Sequence, residues 1–120
     1  MVTAVTSMGR SGLYDWLFQR VSGVILLAYA VCVVFVVVGD PSYEEWSALY
    51  QQTWMRIFSL LALLSLAMHA WVGLWAVFTD YLTERLMGRL GNVLRFIAQA
   101  VSGIIMFTYV VWGIQIVWGL

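Results

Sequence analysis

The chain has 120 residues, of which 63% are hydrophobic and only 10% charged. Soluble domains carry roughly 45–50% apolar and about 25% charged residues, and so short a chain has too much surface to hide this much apolar side chain. Six arginines balance six acids and lysine is absent, which leaves no basic patch for nucleic acid, and the apolar composition excludes a disordered chain and a collagen-like repeat. What is left is an all-α integral membrane protein with little mass outside the bilayer.

The N-terminal twenty residues hold a short interfacial helix. Ser11 is suited to cap it, and Leu13, Trp16 and Leu17 fall on one side. It feeds the first apolar span, residues 21–38. This run is too long for a cleaved signal peptide, and Gly39-Asp40-Pro41 is a helix stop rather than a small-residue cleavage site. Cys32, the only cysteine, lies inside the span and reads as a small buried hydrophobe.

Ser42-Tyr43-Glu44-Glu45 then has the form of an N-cap followed by acids in a first turn, with Trp46 and Trp54 at headgroup depth. The second span covers residues 57–78 and the third residues 96–118. At ~1.5 Å per residue the three spans run roughly 27, 33 and 35 Å, enough for a ~30 Å hydrocarbon core. The alternation a β-barrel needs is missing. Arg10, Arg20, Arg85, Arg89 and Arg95 flank one side of this arrangement and only Arg56 the other. The excess of arginine puts the N-terminus and the 79–95 connection in the cytoplasm and the C-terminus across the membrane. The whole chain reads as one membrane domain.

His69 is the only histidine and lies within the second span. An ionisable side chain at that depth points to function, although a histidine bonded to a neighbouring helix for packing is the plain alternative. Ala62, Ser65, Gly73 and Ala76 share its helix stripe. Small residues on both sides of one imidazole suit a flat macrocycle with an axial nitrogen, and they equally suit close helix packing. A second axial ligand would have to be Met106, at matching depth in the third span, or come from another chain. Arg20, at the cytoplasmic end of the first span, suits haem propionates or lipid phosphate. Asp80 and Tyr81 follow the second span, where a carboxylate and a phenol can handle protons and bond a quinone carbonyl.

The run His69-Ala70-Trp71-Val72-Gly73-Leu74-Trp75, then Thr79-Asp80-Tyr81, resembles the second membrane helix of the succinate dehydrogenase hydrophobic membrane anchor subunit. Gly9-Arg10-Ser11-Gly12, Asp15, Arg20 and the closing Val117-Trp118-Gly119 resemble that family too. The resemblance implies a subunit of bacterial complex II in the inner membrane, without a succinate-oxidising site of its own. It implies that His69 is an axial ligand of haem b, with the other ligand a histidine of the sister cytochrome b556 subunit. It further implies that Arg20 lies near the propionates, that Tyr81 bonds ubiquinone beside Asp80, and that iron–sulfur and flavoprotein subunits deliver the electrons. Gln19-Arg20-Val21-Ser22-Gly23 also resembles an arginine–serine motif of the sister subunit, but Met68 rather than arginine precedes His69. Competing readings are the haem-binding anchor of another respiratory complex and a structural subunit without cofactor. A proton-coupled exporter is disfavoured because every acid lies outside the three spans.

Overall fold

A computed structural model of the protein describes residues 12–119. Among these the regular structure is entirely helical: α1 (Gly12–Val38), α2 (Tyr43–Gln51), α3 (Thr53–Tyr81), α4 (Glu84–Met87) and α5 (Arg89–Trp118). Three of them, α1, α3 and α5, are long and apolar enough to cross a membrane. The fold is an all-α integral membrane bundle with three transmembrane helices.

Each transmembrane helix outruns its apolar stretch. They have 27, 29 and 30 residues, about 40–45 Å at 1.5 Å per residue. Hydropathy marks only the part that needs hydrocarbon, whereas backbone hydrogen bonding carries a helix on through the headgroup layer. The expected interfacial helix is thus the opening turns of α1, continuous with the span. Ser11, its expected cap, and Gly9 and Arg10 lie outside the described residues. Most of the expected 79–95 connection is helical for the same reason.

The helix ends follow local chemistry. After α1, Gly39 and Asp40 donate to the carbonyls of Val36 and Val37 at 3.2 and 3.0 Å. Asp40 takes φ 50°, and Pro41 has no N–H to continue the helix. Ser42 and Glu45 then form a reciprocal capping box. The Glu45 N–H donates to Ser42 Oγ at 3.2 Å and the Ser42 N–H to Glu45 Oε2 at 2.8 Å. Gln52 alone separates α2 from α3. At the other end Thr83 caps α4, and Gly88, at φ 69°, turns the chain into α5.

The central helix is α3, with α1, α2 and α5 packed on it. Few apolar side chains are deeply buried: Met55, Ala62 and Val72. Among the described residues the buried polar ones, Asp15, Ser22, Ser59 and Ser65, outnumber them and lie on α1 and α3. Lipid is as apolar as leucine, so helices in it are held by close approach and hydrogen bonds. The Tyr29 hydroxyl joins Tyr50 at 2.8 Å and Ser59 at 2.9 Å, tying α1 to α2 and α3. Its ring meets Phe58 edge-on at 5.1 Å. On the other side, Trp71 of α3 lies over Gly103 of α5, and Leu63 over Gly113. Outward-facing residues such as Leu27 and Phe35 on α1, and Phe107 and Ile116 on α5, are exposed, as lipid or partner-facing surfaces require.

Two substitutions test this packing. Gly91 is buried at the start of α5, where a Cβ would fall on the Thr83 carbonyl. Backbone cannot swing aside, whereas a Cβ at Gly113 meets only the end of the Leu63 side chain. Gly91→Ala is expected to destabilise by about 1–3 kcal/mol and Gly113→Ala by distinctly less, read from thermal unfolding in detergent. Equal shifts would contradict the assignment. Tyr29→Phe, which strips Ser59 of its partner, is expected to cost about 1–3 kcal/mol in the same assay.

Candidate functional site

His69 turns toward α1. That helix presents Gln19, Ser22 and Gly23 to it, residues that share one helix face through their i, i+3, i+4 spacing. Ser22 Oγ lies 3.1 Å from His69 Nδ1, and the same hydroxyl donates to the Gln19 carbonyl at 3.2 Å. The Gln19 amide nitrogen approaches His69 Nε2 at 3.5 Å, the outer limit of a hydrogen bond. The ring rests on Gly23, where a Cβ would stand 3.6 Å from Cε1. Ser22 is buried and His69 half-buried.

The small-residue stripe faces the same helix. Ala62 and Ser65 are buried, and a Cβ on Gly73 would meet the Gln19 amide nitrogen at 3.7 Å. Within this chain the stripe therefore lets α1 come close. A cleft of about 160 Å³ remains beside it, with Phe18, Ser22, Ser65 and Met68 among its walls. Cofactor pockets run to roughly 300–1,000 Å³, so a macrocycle here needs a wall from another chain. Met106 belongs to α5, which packs on α3 through the Trp71 side.

The other expected residues occupy separate positions. Arg20 is exposed next to Gln19, its guanidinium 5.1 Å above the Trp16 ring. Asp80 and Tyr81 are the last two residues of α3, and both are exposed. Neither side chain has a hydrogen-bond partner among the described residues. They stand about 17–18 Å along the helix from His69, some three turns of α3 away.

A cavity of about 570 Å³ lies at the α2 end and is lined by Tyr43, Tyr50, Gln51 and Arg56 among others. Arg56 Nε donates to the Tyr50 carbonyl at 3.2 Å, and its guanidinium sits 5.7 Å from the Trp118 ring. Burial first, and then the Tyr29 hydroxyl, push the Tyr50 phenol above the usual tyrosine range. It stays protonated at neutral pH and serves as a neutral hydrogen-bonding group. None of His69, Arg20, Asp80 or Tyr81 lines this cavity.

Gln19 is the contact that the sequence did not single out. Its pairing with His69 crosses 50 positions and depends on how two helices rotate against each other. The available signal was polar Gln19 and Ser22 next to Gly23 on one face at the mouth of an apolar span. Two buried polar atoms lack a partner among the described residues in this region and below it: Gln19 Oε1 and the Trp75 indole nitrogen. Trp71 and Trp75 tilt against each other at 5.7 Å.

Comparison with known proteins agrees with this architecture. Residues 2–93 match the family described as succinate dehydrogenase/fumarate reductase transmembrane subunit. The succinate dehydrogenase hydrophobic membrane anchor subunit of Coxiella burnetii (strain RSA 493 / Nine Mile phase I) is 34% identical over 116 residues, 95% of each chain. The family match spans α1 to α4 and includes His69, Asp80 and Tyr81. This chain, with its three membrane-crossing helices, therefore belongs to the succinate dehydrogenase/fumarate reductase transmembrane subunit family.

Proposed function

We propose that this chain anchors succinate:quinone oxidoreductase in the bacterial inner membrane, shares haem b with a sister cytochrome b556 subunit and forms part of a ubiquinone site. The observation that carries the reading is His69. The chain's only histidine sits inside a transmembrane helix with Nδ1 held by a hydroxyl and Nε2 held only at 3.5 Å. Imidazole in hydrocarbon is expensive unless it is used.

The residues present fit a haem. The Gln19 amide nitrogen reaches Nε2 only at 3.5 Å, and its Oε1 is buried without a partner among the described residues. An amide so poorly satisfied yields readily to a ligand on Nε2. The narrow cleft supports a site completed by the sister subunit, whose histidine would be a further ligand to the iron. Haem, when bound, supplies a one-electron carrier between the iron–sulfur subunit's side and the membrane interior. His69 would hold it through a ring nitrogen, and exposed Arg20 would offer a guanidinium to its propionates at the same end of α1.

Arg20, Arg85, Arg89 and Arg95 lie toward the α4 end and Arg56 toward the α2 end. The arginine excess supports a cytoplasmic α4 end and N-terminus and a periplasmic C-terminus. Asp80 and Tyr81 then face the side where the iron–sulfur and flavoprotein subunits dock. Reduction of a quinone to quinol takes two electrons, delivered from succinate through those subunits, and two protons from water. Tyr81 donates its hydroxyl to a quinone carbonyl as negative charge grows on that oxygen. Asp80 sets the charge beside it and gives protons a path to the site. In this reading the chain itself oxidises no succinate.

Closure of the stripe by α1 favours a second reading, a structural subunit without cofactor. The two separate in the dithionite-reduced minus air-oxidised spectrum of the assembled complex. The haem reading predicts a b-type α-band that His69→Ala abolishes while all subunits remain assembled. A wild-type complex without the band supports the structural reading. Tyr81→Phe is expected to lower succinate–quinone turnover by about 10²-fold with haem content unchanged. Normal turnover in that variant removes Tyr81 from the mechanism.

A further inference from the structure

We propose that Ser22 is a positioning residue for His69: it fixes the imidazole tautomer with the proton on Nδ1 and leaves the Nε2 lone pair to the haem iron. The inference rests on the reading of His69 as an axial ligand and adds to it which nitrogen binds and what orients the ring.

The argument follows from counting protons. A serine hydroxyl has one proton to give. Ser22 gives it to the Gln19 carbonyl at 3.2 Å. With that proton on the carbonyl, the same oxygen accepts from His69 Nδ1, 3.1 Å away, which is the tautomer we propose. A neutral imidazole with Nδ1–H has its lone pair on Nε2. The Gln19 amide N–H₂ faces Nε2 at 3.5 Å, and as a donor it agrees with that assignment.

The Ser22 link is built into the fold. Ser22 is 3% exposed, so no water competes for its hydroxyl. Gly23 leaves room for the ring to lie flat beside it. A hydrogen bond from the distal ring nitrogen makes the coordinating nitrogen a stronger donor and locks the ring's rotation, and removing such a partner typically weakens metal binding about 10–100-fold. The Gln19 carbonyl, one helical turn from Ser22, thereby anchors the ligand to the α1 backbone through one hydroxyl.

The test uses the assembled complex carrying Ser22→Ala, Ser22→Val, Ser22→Thr and His69→Ala. Valine and threonine have the same shape and differ by the hydroxyl, so comparing them separates the hydrogen bond from packing. The readouts are haem per complex, the haem midpoint potential and the low-spin ferric resonance. In Ser22→Ala and Ser22→Val, haem retention is expected to fall about tenfold or more. The potential of the haem that remains rises, because a weaker donor favours ferric iron less, and the low-spin signal shifts. Ser22→Thr restores wild-type behaviour. Wild-type potential and resonance in both Ser22→Ala and Ser22→Val would overturn the proposal, as would threonine behaving like valine. If His69→Ala keeps the haem band, the ligand reading itself falls. If His69→Ala loses the band while the Ser22 variants are silent, only the role of Ser22 falls.

Discussion

The close approach of α1 to α3 is the constraint on which the rest of the structure depends. A bundle in lipid gains nothing from hiding leucine in leucine, so α1 and α3 meet instead where side chains are small or hydroxylic. Ser22 and Gly23 face His69 and Gly73 faces Gln19 in one half of the seam. Tyr29 faces Ser59 in the other. Serines and glycines bring backbones near enough for single hydrogen bonds to span the gap. The histidine is accommodated there because hydroxyl and amide groups are already in place.

The same constraint fits the proposal that this chain carries only part of a site. Its seam is narrow, with a cleft of about 160 Å³ beside Ser22 and Ser65, while the outer faces of α1 and α5 stay apolar and exposed. On the proposed function, a chain built this way would lend ligating and hydrogen-bonding groups to an assembly and leave the remaining walls to others. The separation of His69 from Asp80 and Tyr81 along α3 fits that arrangement, since one rigid helix sets the spacing between a group in the bilayer and a pair at its edge.

Much of the fold is legible in the amino-acid sequence. Three apolar runs in a chain with so few charges admit little besides membrane helices. The Gly39-Asp40-Pro41 stop and the Ser42–Glu45 capping box are local chemistry, and both ends form as their residues dictate. Helix lengths are less legible, because hydropathy ends where polar residues begin and the backbone does not. The use of the small-residue stripe is ambiguous in principle. Alanine, serine and glycine beside a histidine serve a ligand and a neighbouring helix equally, and only the rotation of α1 decides which atoms fill the space. Gln19 is hidden for the same reason. Its amide reaches His69 and Gly73 by helix rotation, which neither composition nor local spacing encodes.

The most direct measurement is an experimental structure of the assembled complex in lipid, at a resolution that shows side-chain rotamers. The account predicts a macrocycle on His69 Nε2, with Nδ1 still at the Ser22 hydroxyl and the Gln19 amide turned away. A structure with His69 enclosed between α1 and α3, Gln19 over Nε2 and no macrocycle in reach would contradict it.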